Sequence, residues 1–326
     1  MNRAVDITQG NIYVVSDLHG EWEPYIRYRD HFFSLYDEGL ADYLVFLGDM
    51  IHGYGPPEED ASVDILLDLI SLEQEHGLHN VIMLLGNHEL AHIYFTPIRK
   101  GELNFVPRFE HMMGDHRAQI MAFLRSLPFV VRTAAGVMLT HAGASTLTAS
   151  PEAAEWLLNL SHEDILAEVD RLLARSDVHE LLAAFGQVSD DEYEMVAREQ
   201  LAIEGRDDPR YHDLLRGFIA TNLEPEWSLI WEFFFSQAER RFGEATYATL
   251  VDQFLEAFSP RGLPQRVLVS GHLPVEGGYD IVADRQVRLA SWAHANPRSQ
   301  ASYLVFDAAR PVYSAAELDP YIYPMP

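Results

Sequence analysis

The chain has 326 residues, with 23 Lys and Arg against 50 Asp and Glu, a net charge of −27 and no cysteine. So acidic a surface repels polyphosphate backbones and anionic lipid headgroups, which argues against general nucleic-acid binding and against membrane docking. Without cysteine there are no disulfides, thiolate zinc sites, iron–sulfur clusters or thiol nucleophiles, so a transition-metal site must be built from His, Asp, Glu or Asn.

The composition, 48% hydrophobic and 11% aromatic, is that of a globular protein with one large domain or two ordinary ones. No apolar run approaches the roughly 18 residues of a membrane span, and no signal-like stretch precedes Asp17. The expectation is a cytoplasmic enzyme.

In chain order, short apolar runs each end in polar residues. Ile12–Val15 leads into Ser16-Asp17-Leu18-His19-Gly20, and Tyr43–Leu47 into Gly48-Asp49. Residues 63–72 then have helical spacing, with Ser62 as the expected N-cap. Val81–Leu85 runs into Gly86-Asn87-His88-Glu89, and Val137–Thr140 into His141-Ala142-Gly143. From about Pro151 to Phe258 the period is helical, with no convincing strand. Val267–Val269 then runs into Ser270-Gly271-His272, and Tyr279–Ala283, Gln286–Ala290 and Tyr303–Phe306 read as a closing meander. Strand-sized runs separated by amphipathic helices predict an α/β protein. The expected division is a core over 10–143, an all-helical insertion or cap over 144–263, and a second core segment over 264–314.

Ligands of open α/β sheets bind beyond the carboxyl ends of strands. Here those ends carry Asp17, His19, Asp49, Asn87, His88, His141 and His272. One such pair means little. Five strand ends bearing His, Asp or Asn are hard to attribute to chance, and two metals about 4 Å apart need such a set with one bridging carboxylate.

Taken together, Asp17-Leu18-His19-Gly20, Gly48-Asp49, Gly86-Asn87-His88-Glu89, His141-Ala142-Gly143 and Gly271-His272 resemble the motifs of calcineurin-like metallophosphoesterases. The phosphoprotein phosphatase (serine/threonine phosphatase) branch is the nearest, because the position two after His272 holds Pro274 where the wider superfamily often has a further histidine. The resemblance implies a β-sandwich flanked by helices and hydrolysis of phosphate monoesters with two divalent metals, Mn, Fe or Zn. By position, Asp17 and His19 would bind the first metal, Asp49 both, and Asn87, His141 and His272 the second. His88 would protonate the leaving oxygen, and Asn87 would also face substrate. The partner would be a phosphoprotein or a small phosphoester.

One departure stands out. The family usually follows its bridging Asp with an Asp that partners the catalytic His and an Arg that grips phosphate. Here those positions are His52 and Gly53. His52, Arg99 and Arg108 are the candidates to contact substrate instead, each also readable as an ordinary packing or loop residue.

Three rival readings remain. His88-Glu89-Leu90-Ala91-His92 matches the zinc-protease pattern, although no helical turn is expected before His88, and His92 reads as an ordinary half-buried histidine. A nucleotide phosphoesterase, acting on a dinucleoside polyphosphate or a cyclic nucleotide, could use Trp227, Trp231 and Phe233–Phe235 to stack a base, against their simpler reading as helical core. A catalytically decayed binding module would also fit the lost Arg and Asp.

Overall fold

The computed structural model describes residues 2–74, 79–101, 103–186, 189–222 and 225–326. Two compact units emerge: the first comprises 1–87, 127–160 and 229–326, the second 88–126 and 161–228.

The first unit holds two sheets. Its strands are β1 (Ala4–Ile7), β2 (Asn11–Val15), β3 (Tyr43–Phe46), β4 (Val81–Met83), β5 (Val130–Thr133), β6 (Val137–Thr140), β7 (Val267–Ser270), β8 (Tyr279–Val282), β9 (Gln286–Leu289), β10 (Ser302–Asp307) and β11 (Ile322–Pro324). One sheet runs β11-β10-β2-β3-β4 and the other β1-β5-β6-β7-β9-β8. Val14, Val45 and Ile82 from the first sheet share one core cluster with Leu139, Val269 and Leu289 from the second. The two sheets therefore share one core, the α/β sandwich expected from the sequence. Strands buried on both faces explain why these segments are continuous apolar runs rather than alternating ones.

Strand direction decides where the loops gather. β2, β3 and β4 are mutually parallel, as are β6, β7 and β9. Parallel neighbours end at the same edge, so each group presents its carboxyl-terminal loops together.

Several expectations are corrected. The closing segment is no meander: β8 and β9 are antiparallel partners, but β9 pairs parallel with β7, and β10 leaves for the other sheet beside β2. Three strands were not expected: β1 and β11 each form the edge of a sheet, and β5 lies between β1 and β6. The helix Ser62–Gln74 begins at Ser62 rather than after it. The Ser62 N–H donates to Asp60 Oδ1 (3.1 Å), while the Ser62 hydroxyl accepts the His52 N–H (2.8 Å).

Between Pro151 and Phe258 the described residues form helices and no strand. Pro151–Leu158 and the helices from residue 229 onward belong to the first unit. Within the second unit the helices His162–Arg175, Asp190–Leu201 and Asp213–Asn222 accompany Phe105–Met113 and Arg117–Ser126. Its interior carries a buried ion cluster: Glu110 accepts from Arg117 (2.8 Å) and Arg210 (3.2 Å), and His92 Nδ1 lies 3.1 Å from its other oxygen. His92 is therefore fully buried, 1% exposed, rather than half-buried.

Candidate metal centre

The strand ends turn sharply where the motifs begin. His19, Asp49 and His272 adopt positive φ (48°, 54° and 72°), a region that costs a side-chain-bearing residue about 1–3 kcal/mol and clusters at functional sites. Gly48 precedes Asp49 at φ 95°, with an ideal Cβ only 2.7 Å from Gly86 Cα. Glycine at both positions lets the ends of β3 and β4 touch, and that contact brings Asp49 beside Asn87 and its neighbours.

All six predicted ligands lie in the first unit. Asp17, His19, Asp49, Asn87 and His141 are 5% exposed or less. His141 Nε2 stands 2.8 Å from Asn87 Oδ1, 3.2 Å from His272 Nδ1 and 3.5 Å from Asp49 Oδ2; His272 Nδ1 is 3.0 Å from Asn87 Oδ1. On the other side of Asp49, His19 Nε2 lies 3.8 Å from the same Oδ2. The Asp49 carboxylate thus stands between two histidines that belong to different groups.

These groups fit a cation better than they fit each other. Two atoms each about 2.1 Å from one metal stand roughly 3.0 to 3.4 Å apart at octahedral to tetrahedral angles. Most of the separations above are within a few tenths of an ångström of that range. The His19 and His141 Nδ1 atoms are spoken for by the Ile51 and Leu47 carbonyls, each at 3.0 Å. That backbone contact fixes the tautomer and presents Nε2 as a lone pair, the usual support of a metal-binding histidine. Burial pushes the His141 ring down to about 4 and the His272 ring well below its ordinary value, so both are neutral near pH 7. His141 Nε2 therefore faces the acceptor oxygens of Asn87 and Asp49, and the His272 ring supplies at most one proton to the set. Among the described residues His272 Nε2, also buried, has no hydrogen-bond partner. Lone pairs converging with too few protons between them are what a divalent cation would relieve.

Asp17 is held from behind. Both its oxygens accept the His272 N–H, at 3.1 and 2.9 Å. Burial alone would raise its pKa, but the His294, His141 and His19 rings keep it below the usual carboxylate range. Gly271 is required beside it, since a Cβ there would lie 2.1 Å from Asp17 Oδ2. The Gly271 carbonyl in turn accepts from the buried Arg288, whose guanidinium is neutralised by Glu239.

His88 follows Asn87 on the helix Asn87–Ile93 and opens the second unit, half-buried, with its ring 5.6 Å from Phe105. Arg99 is exposed on a two-residue strand, and Arg108 is part-buried on the helix Phe105–Met113; both belong to the second unit. His52 is in the first unit, buried and at φ 72° in the turn after Asp49. His92 Nδ1 pairs with Glu110, and among the described residues no group of His, Asp and Glu able to hold a metal joins His92 to His88, as the protease reading needs. Phe233 and Phe234 pack against Phe129, Phe254 and Phe258, so they are core and not a stacking platform.

Two residues at the site escaped the sequence reading. The Tyr54 hydroxyl donates to His19 Nε2 (3.0 Å). His294, in the loop after β9, places Nδ1 3.3 Å from Asp17 Oδ1. No local signal marked it, because the segment before it carries Gln286, Arg288 and Ser291 among its apolar residues, unlike the apolar runs that lead into the other site residues.

A parallel-edged α/β sandwich with a His, Asp and Asn cluster at its strand ends defines a metal-using hydrolase. The chain matches the calcineurin-like phosphoesterase family over residues 10–200 and belongs to it. It is accordingly a phosphoesterase, of a family that works with divalent metals. A search among curated proteins finds no match. Similar solved structures include a serine/threonine phosphatase of Saccharomyces cerevisiae (14% identity, covering 93% of this chain and 76% of that one, TM-score 0.49). Others are a cold-active protein-tyrosine phosphatase of a Shewanella species (15%, 95% and 78%, TM-score 0.45) and a metallophosphoesterase of Sphaerobacter thermophilus (16%, 95% and 91%, TM-score 0.34). Among the described residues no helix is long and apolar enough to cross a membrane.

Proposed function

We propose that this protein hydrolyses phosphate monoesters with two divalent metals, on phosphoproteins or small phosphoesters. The observation that carries the reading is the Asp49 carboxylate standing between His19 and His141, because a single anion placed between two imidazoles is suited to being shared by two cations. Asp17 and His19 complete one site with Asp49, and Asn87, His141 and His272 complete the other. Metals bound there supply positive charge that polarises the phosphoryl group and eases deprotonation of the attacking water. The Leu47 and Ile51 carbonyls orient the His141 and His19 rings. His88, bonded directly to Asn87, protonates the leaving oxygen. Nitrogen and oxygen donors suit Mn, Fe and Zn.

With Gly53 where a phosphate-gripping Arg would stand, recognition of a bulky phosphoprotein depends on residues outside the usual motif, and small phosphoesters gain weight as substrates. The test is a panel of aryl monoesters, phosphopeptides, diesters and dinucleoside polyphosphates, assayed with protein stripped and reloaded with Mn. Metal-dependent monoester turnover that is lost in Asp49→Ala, together with at least one metal, is expected. No turnover on any member with Mn, Fe, Zn or Co would refute the reading.

A further inference from the structure

His294 lies outside every motif used above, yet its loop is fastened to the loop that carries Asp17. The Ser16 N–H donates to Ser291 Oγ (2.8 Å) and the Ser291 N–H to Ser16 Oγ (3.0 Å). The Ala293 N–H donates to the Asp17 carbonyl (3.2 Å), and the His294 carbonyl accepts the Val275 N–H (2.9 Å). The Tyr28 hydroxyl adds a bond to the Ser291 carbonyl (2.8 Å). Five hydrogen bonds thus hold a short loop in register with Asp17, a degree of support expected of a residue whose position matters to about half an ångström.

The ring these bonds position is 8% exposed, and its Nδ1 has no hydrogen-bond partner among the described residues. That nitrogen faces Asp17 Oδ1 at 3.3 Å, too far for a good N–H···O bond and within the spacing of two atoms on one cation. The His19 ring lies 5.2 Å away, centroid to centroid, and Asp17, His19 and His294 can each offer a ligand atom within 4.8 Å of the others. A buried polar nitrogen left unpaired is unfavourable unless something binds it. The topology gives the reason for its place. β9 runs parallel to β7, so the loop after β9 emerges at the edge where β7 delivers His272.

We infer that His294 is a protein ligand of the first metal, joining Asp17, His19 and Asp49. This rests on the metal-centre reading above. Both sites then have four protein donors, with Asp49 common to the two, and the first is held by two carboxylates and two imidazoles. Such a mixed set favours Mn, Fe or Zn over Mg, which prefers oxygen and water.

Metal content tests this without reference to turnover. Mn stoichiometry and affinity are measured by equilibrium dialysis for wild type, His294→Ala, His294→Gln, Asp17→Ala and the Asp17→Ala/His294→Ala double variant. Wild type should bind two Mn, and each His294 variant should weaken one of them by about 10²-fold or more while sparing the other. The double variant should bind as Asp17→Ala does, since both changes empty one site. Two metals at wild-type affinity in the His294 variants would overturn the inference and leave the proposed function standing. No metal in wild type would overturn both. A crystal structure of zinc-loaded wild type decides independently of how the variants fold: a His294 ring nitrogen about 2.0–2.1 Å from zinc is expected, and one beyond about 3 Å refutes the assignment.

Discussion

Replacing Gly271 with alanine tests whether the metal cluster depends on the close approach of two strand ends. The new Cβ would stand 2.1 Å from Asp17 Oδ2 and 3.0 Å from Ser16 Cβ, whereas ordinary contact begins at 3.4 Å. The carboxylate must therefore retreat by about 1.3 Å. It has little room, being fully buried and anchored through Ser16 to Ser291. Overpacking a core typically costs about 1–3 kcal/mol. Losing the hydrogen bonds from the His272 N–H to a charged carboxylate costs about 1.5–3 kcal/mol more, and the two overlap. A loss on the order of 2–5 kcal/mol is expected, read by urea unfolding in the presence of chelator with unchanged m-value. A donor displaced by more than about 1 Å no longer shares a cation with His19, so one of the two metals should also be lost in equilibrium dialysis. An alanine variant within about 0.5 kcal/mol of wild type that still holds both metals would refute the argument.

Other perturbations separate chemistry from scaffold. His88→Ala should keep both metals and lose roughly 10²–10⁴-fold in turnover, with a smaller loss on substrates having good leaving groups; metal loss in this variant would refute its assignment as the acid. Gly48→Ala forces a side chain into φ 95° and against Gly86, so an unfolding free energy lower by about 2 kcal/mol or more is expected, with loss of metal. In the second unit burial opposes ionisation of Glu110, but its bonds to His92 and Arg117 prevail and bring it down to about 2. A folded pKa below the unfolded one contributes stability above about pH 4.5 that disappears as pH falls through about 2. Glu110→Gln should therefore cost on the order of 3 kcal/mol at pH 7 and progressively less in acid; a difference independent of pH would contradict this. His92→Ala should lower stability by removing the Glu110 partner while leaving the metals in place, and a metal lost with it would revive the protease reading.

Much of the core and the residue types of the site could be read from the chain because both are local. A strand buried on both faces must be a short apolar run, and a loop beyond its carboxyl end must carry whatever donors the site uses. Asp17, His19, Asp49, Asn87, His141 and His272 stand out for that reason, as do the glycines that let their loops turn. Tertiary structure decided what depends on strand direction and partner. Nothing local distinguishes a hairpin that continues as a meander from one whose second strand runs parallel to β7, so the edge at which 286–294 emerges stayed hidden, and His294 with it. The joining of 88–126 with 161–228 in one compact unit is equally invisible in chain order, because it rests on packing between distant segments. The buried pairing of His92 with Glu110 is a further case: a histidine in the last turn of a short helix carries no mark of a carboxylate on another helix. Local pattern names the donors; pairing and direction determine which of them meet.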